Sequence, residues 1–130
     1  MTPEAKVKAS VVKLLKKHNI YYFFPATHGF GRSGVPDIIC CFDGEFLALE
    51  IKAGKGKTTA LQDRELDRIH DAGGKAYVIN EDEVTNLDEW IQLCRANRNA
   101  AVRMMNQVKE LRVKKKAFDD RSKEEDDDRC

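Results

Sequence analysis

The chain reads as an α/β domain: a mixed central β-sheet flanked by helices, followed by a long C-terminal helix. Three observations carry that reading. Two apolar runs meet at Asp43-Gly44, a hairpin signature because both turn positions call for a positive φ. The second run, residues 45–53, continues through a helical stretch into another strand at 75–80, a β-α-β crossover that makes those strands parallel and their connection right-handed. From Asn86 to about Lys116 the pattern is helical again.

The elements follow in order. Residues 2–18 form an amphipathic helix: Thr2 can cap it, Pro3 fits its first position and Glu4 suits its positive end. Val7, Val11, Leu14 and Leu15 make the apolar stripe, and Lys6, Lys13 and Lys17 look outward. "IYYFFPA", residues 20–26, is an aromatic strand stopped by Pro25. "THGFGRSG" is a flexible, glycine-rich loop. After the hairpin, "TTALQDRELDRIHDAGG" is a helix ended by Gly73-Gly74, and "KAYVIN" is the last strand. Asn86 and Glu89 stand at capping-box spacing at the head of the final helix, where Leu87, Trp90, Ile91 and Cys94 can pack on the sheet. Val102, Met105 and Val108, with Met104 and Leu111, continue it as a thinner seam that calls for a partner. Residues 119–130 read as a disordered acidic tail. The organisation is a domain over residues 1–92 and an extension over 93–130.

Composition narrows the classes of function. Charged residues are 35% of the chain and hydrophobic ones 42%, and no apolar run reaches the roughly 18 residues of a membrane span. A cytoplasmic protein with reduced thiols is expected. Cys40 and Cys41 are adjacent, Cys94 and Cys130 are isolated, and His18, His28 and His70 are scattered, which disfavours zinc. The net charge of +1 does not announce a nucleic-acid partner. Residues 93–130 hold 11 Lys/Arg against 8 Asp/Glu, a weak basic bias that a solvated helix explains as well as a DNA-binding arm.

The hairpin fixes a register. With Asp43 and Gly44 as the turn, Phe42 pairs with Glu45 and Asp37 falls opposite Glu50. Alternation puts Asp37, Ile39, Cys41, Phe46, Ala48, Glu50 and Lys52 on one face, and Ile38, Cys40, Phe42, Leu47, Leu49 and Ile51 on the other. Both faces are largely apolar, so helices are expected on both. Two carboxylates paired across strands lie with Cβ atoms about 5 Å apart and repel. Protonation, solvent or a cation can offset this; Lys52 brings one positive charge, and hard oxygen ligands suit Mg²⁺.

"GKGKT" within residues 54–58 raises a competing reading, a phosphate-binding P-loop. That loop needs a glycine five residues before the Gly56-Lys57-Thr58 triplet, and Ile51 stands there, inside a strand. The backbone nest is therefore missing. Lys55 and Lys57 still suit single phosphate contacts on a DNA backbone.

"GVPD" at 34–37 and "LEIK" at 49–52, joined by a hairpin, resemble the PD-(D/E)xK nuclease signature. With Glu4 on the first helix and Gln62 on the helix after the lysine loop, the order resembles the VRR-NUC group, including its small stand-alone members of phages and bacteria. The resemblance covers residues 2–80. It implies a restriction-endonuclease-like core and metal-dependent hydrolysis of phosphodiester bonds, with Mg²⁺, or Mn²⁺ in its place. Asp37, Glu50 and the backbone carbonyl of Ile51 would hold the metal, and Glu4 would join them directly or through water. Lys52 would orient the attacking water and stabilise phosphate charge, and Gln62 would orient Lys52 or the water. Thr59-x-x-Gln62 is also a capping box, which accounts for Gln62 on its own. The number of metals stays open. His28, Arg32 and Ser33, just before the motif, are placed for backbone phosphates.

Stand-alone members of the group resemble archaeal Holliday-junction resolvases and act as homodimers on four-way or branched DNA. Twofold symmetry suits the paired cuts, and the aromatic strand and long helix are candidate dimer surfaces. A chain without an accessory domain is suited to read DNA shape rather than bases. The alternative is a non-catalytic DNA-binding or assembly module on the same fold, against which the intact set of Asp37, Glu50 and Lys52 argues.

Overall fold

The computed structural model describes residues 1–26 and 33–128, with side chains through residue 124. Most of the glycine-rich loop, including His28 and Arg32, lies outside the described residues. Seven elements follow one another: α1 (Pro3–Lys17), β1 (Tyr21–Phe23), β2 (Ile38–Phe42), β3 (Glu45–Ile51), α2 (Ala60–Asp71), β4 (Lys75–Ile79) and α3 (Val84–Asp128). The strands form one sheet in the order β1-β2-β3-β4. β1, β2 and β3 are antiparallel to one another in turn, and β3 and β4 are parallel, as the crossover requires.

The expected register is present. Phe42 pairs with Glu45 and Ile38 with Leu49, so continuing the ladder by one residue sets Asp37 against Glu50. Asp43 and Gly44 have φ of 50° and 86°, the left-handed pair that a two-residue hairpin turn demands. α1 also forms as read: Thr2 accepts a hydrogen bond from the Ala5 N–H, Pro3 opens the helix, and Val7, Val11, Leu14 and Leu15 are its buried residues. α2 carries the full capping box between Thr59 and Gln62.

The sheet faces are not equally covered. Ile38, Cys40, Phe42, Leu47, Leu49 and Ile51 are all buried. Removing a side chain such as Leu49 from this face would cost about 2–5 kcal/mol. On the other face, Ala48 and Glu50 are buried but Cys41 and Phe46 are exposed, as are Tyr21 and Phe23 on β1. The expectation of helices over both faces thus holds only in part. α2 packs on β4 and leaves the β1–β2 side uncovered.

Three further boundaries differ from expectation. β1 is three residues long rather than spanning 20–26, because Pro25 has no N–H to extend a ladder. α3 begins at Val84, not Asn86; the Leu87 N–H bonds to the Glu83 carbonyl, and Asn86 sits inside the first turn, donating to Glu83. α3 also continues to Asp128, so 119–128 is helical rather than disordered; residues 129 and 130 lie outside the described residues. Arg121 and Lys123 there lie three or four residues from Asp119, Asp120, Glu124, Glu125, Asp126 and Asp127, and such opposite-charge pairs support a helix.

The chain divides into two compact units, Met1–Glu89 and Trp90–Cys130. The first holds the whole sheet with α1 and α2. Among the described residues, no helix is long and apolar enough to cross a membrane.

Candidate active site

Glu50 is the buried charged residue of the sheet, with 2% of its surface exposed. It lies next to last on β3, where register sets it against Asp37. The Asp37 side chain is held by the backbone: its Oδ2 accepts from the Ile51 N–H at 2.8 Å. Asp37 therefore reaches across the end of β2 and spends one oxygen on β3, leaving Oδ1 available toward Glu50.

The two oxygens of Glu50 have different surroundings. Oε1 accepts from Gln62 Nε2 at 3.1 Å and faces Lys52 Nζ at 3.8 Å. Oε2 is buried with no hydrogen-bond partner among the described residues. Left ionised, such an acceptor costs about 1–3 kcal/mol or more, and protonation removes that cost by turning it into a donor toward Asp37. Burial pushes the Glu50 carboxyl up to about 8, and the adjacent Asp37 carboxylate adds to the rise. Lys52 opposes it, and Glu4 contributes a smaller push upward.

Gln62 resolves the choice between cap and site, because it is both. Its Oε1 accepts from the Thr59 N–H at 2.9 Å, its own N–H donates to Thr59 Oγ1 at 3.2 Å, and its Nε2 holds Glu50. One amide thus ties the start of α2 to the acid on β3. The capping box fixes the amide's orientation, so its NH₂ group must face Glu50.

Two residues have supporting roles that the sequence did not reveal. Gly34, the first residue of the GVPD stretch, has a φ of 81°. A Cβ there would fall 2.5 Å from the Leu61 carbonyl carbon and oxygen and 2.8 Å from the Gln62 nitrogen. Only glycine lets the motif loop approach the first turn of α2 so closely. The second is Glu81, whose two oxygens accept from the Gly54 N–H at 2.8 and 3.1 Å. It clamps the turn that follows Lys52 and carries Lys55 and Lys57.

Glu4 is exposed in the first turn of α1. With Thr2, Lys52 and Lys57 it lines an open cavity of about 520 Å³ beside the acidic pair. Among the described residues, no three His, Cys, Asp or Glu side chains converge so as to hold a metal. Glu4 is thus electrostatically linked to the pair without closing a three-carboxylate cage. Lys55, Lys57 and Ser33 are exposed, and His28 and Arg32 lie outside the described residues. Cys40, Cys41 and Cys94 are free thiols, and burial pushes that of Cys40 up to about 12, which makes it inert.

The site is therefore a pair of carboxylates at the end of the two central strands, one buried and proton-retaining, with a lysine and an amide beside the same acid. No family model and no curated protein matches the chain. Solved structures do. A structure described as a VRR_NUC domain superposes with a TM-score of 0.60 at 22% identity, covering 68% of this chain and 97% of its own. A VRR_NUC domain protein superposes with a TM-score of 0.55 at 20% identity, covering 70% and 86%. The Holliday junction resolvase Hjc of Archaeoglobus fulgidus is matched at 0.45 and 23% identity, over 59% and 65%. The chain has the nuclease fold of the VRR_NUC domain, with a mixed four-stranded sheet flanked by helices and a long C-terminal helix in addition.

Proposed function

We propose that the protein is a metal-dependent DNA endonuclease, acting as a homodimer in the cytoplasm and selective for branched or four-way junctions. One observation carries the catalytic part: Glu50 is buried beside Asp37, whose charge and side-chain hydrogen bond raise its pKa, and its Oε2 has no other partner among the described residues. A sheet that only needed to be stable would not keep such an atom. A divalent cation suits it, because hard oxygen donors in a partly open arrangement match Mg²⁺. Mn²⁺ has the same ligand preference.

Asp37 and Glu50 would hold the cation, with the Ile51 carbonyl, and Glu4 acting through water from the rim of the cleft. When bound, such an ion lowers the pKa of water and offsets charge developing on the phosphate. The chain's own residues divide the remaining work. Gln62 fixes the Glu50 carboxylate by donating to Oε1, which leaves Oε2 for a cation. Lys52, mostly shielded from solvent, keeps a fixed positive charge next to that acid and can stabilise the attacked phosphate. Lys55 and Lys57, with Ser33, His28 and Arg32, suit contacts to flanking phosphates. Those contacts position the duplex without reading sequence.

The reading is tested with labelled four-way junctions, flaps and linear duplex, incubated with and without Mg²⁺ or Mn²⁺. Metal-dependent cleavage, strongest on the branched substrates, is expected. Binding without cleavage of any of them would instead make the chain a non-catalytic DNA module. Equal cleavage of linear duplex would remove junction selectivity while leaving the endonuclease.

A further inference from the structure

From Trp90 on, the chain forms its second unit, and every residue from 101 to 120 of its helix is exposed. That exposure includes Met104 at 66%, Leu111 at 65% and Phe118 at 64%. Helices in proteins owe most of their stability to packing an apolar face, and beyond Ala100 this one has none covered through residue 120. The domain that the chain resembles at 97% of its length accounts for 68% of this chain, so about a third of the chain has no counterpart in it.

Half of the exposed large apolar residues of this helix lie on one line, Met104, Val108, Leu111 and Phe118, and Leu93, Val102, Met105 and Val113 lie off it. Cys94, Asn97, Ala101, Met104, Val108, Leu111, Lys115 and Phe118 follow alternating steps of three and four. A heptad seam of this length, apolar at six of its eight positions, fits a two-stranded coiled coil in which the polar positions set the register. We propose that this seam pairs with the same seam of a second copy, antiparallel, so that paired residue numbers sum to 212. This rests on the homodimer reading above and names its surface.

The seam is complementary to itself in that register. Ala101 meets the partner subunit's Leu111, and Met104 meets the partner subunit's Val108. Cys94 meets the partner subunit's Phe118, so small side chains face large ones. The two polar positions also coincide, Asn97 facing the partner subunit's Lys115, where an amide oxygen can accept from the ammonium. A parallel, in-register pair would instead set Lys115 against Lys115 and Ala101 against Ala101, a like-charge layer and a thin one. The antiparallel register does bring Arg98 near the partner subunit's Arg112 at the flank, a solvent-exposed repulsion worth little.

Sedimentation of the full chain provides the test. The chain is expected to be a dimer, and Leu111→Glu, on the seam, is expected to weaken it by more than about tenfold. Val113→Glu, equally apolar and 68% exposed but off the seam, is expected to change nothing. Glutamate is a good helix former, so circular dichroism should report unchanged helix in both. A monomeric wild type would overturn the dimer reading and this inference together. A dimer that survives Leu111→Glu would leave the dimer reading standing and overturn the seam, as would equal loss in both variants. Mild oxidation tests direction. Phe118→Cys is expected to give a cross-linked dimer that disappears when Cys94→Ser is added. A Cys94–Cys94 disulfide in the wild type would contradict the register, because antiparallel copies hold those thiols about 36 Å apart.

Discussion

Glu45 and Glu50 lie on the same strand and meet opposite treatment. Glu45, at the turn end of β3, is half exposed and touches Lys75 Nζ at 2.7 Å. Glu50, at the other end, is buried, and its nearest cation, Lys52 Nζ, stays at 3.8 Å. The tight ion pair sits where water makes it nearly worthless, and the loose one sits where an acid needs help most. An acid meant only to hold the sheet together would show the reverse. The hairpin is thus stable at one end and electrostatically unsatisfied at the other, and the unsatisfied end is the candidate site.

The widest separation between the two acids is expected in activity. Glu50→Gln and Asp37→Asn should each lower Mg²⁺-dependent cleavage of branched DNA by more than the roughly 10–100-fold that an outer partner costs. Gln62→Ala, removing such an outer partner, should fall within that range, and Glu45→Gln should cleave like the parent. Single-turnover rates on a junction check all four. A Glu45 variant as inactive as the Glu50 one would erase the comparison.

Next in size is the support beneath the site. Gly34→Ala places a Cβ against the backbone of Leu61 at a positive φ and should destabilise the chain by about 2–3 kcal/mol in urea. Gly44→Ala, with nothing within 4 Å of its Cβ, should cost only the conformational part, about 1–2 kcal/mol.

The pH dependence has a definite sign. The folded-state pKa of Glu50, about 8, lies above its ordinary value of 4.5, so the folded chain binds the extra proton between those values. The stability that Glu50 contributes without metal is therefore fully present below about 4.5 and is lost as pH rises toward 8, by an amount on the order of a few kcal/mol. Urea melts of the metal-free protein should show that loss, and Glu50→Gln should flatten it. Mg²⁺ competes with the same proton, so its affinity should rise over the same range. The smallest effects are expected at exposed ends. Glu81→Gln should cost about 1 kcal/mol, with weaker DNA binding through the loosened lysine turn, and Glu45→Gln less than that.

What could be read from the chain alone follows the range of each interaction. The Asp37–Glu50 pairing was legible because a two-residue turn at Asp43-Gly44 sets the register for the whole hairpin. The α1 stripe and the Thr59–Gln62 cap were legible because helical contacts are local. Gly34 was visible as a motif glycine, but its contact with Leu61 depends on how α2 lands. Glu81 gave no signal, since its partner Gly54 is 27 residues away along the chain. Coverage of the second sheet face depends on where α2 packs, which alternation cannot say; Cys41 and Phe46 alternate as core and stand exposed. The acidic tail reads as disordered because its composition lacks apolar residues, yet the helix runs through Asp128.

The central claim is that Glu50 keeps its proton until a divalent cation replaces it. Titration of the Glu50 side-chain carboxyl by ¹³C NMR, without and with Mg²⁺, tests this directly. A midpoint near 8 in the metal-free chain, falling well into the acid range when Mg²⁺ is added, is the expected result. A midpoint in the ordinary carboxylate range that ignores Mg²⁺ would contradict it.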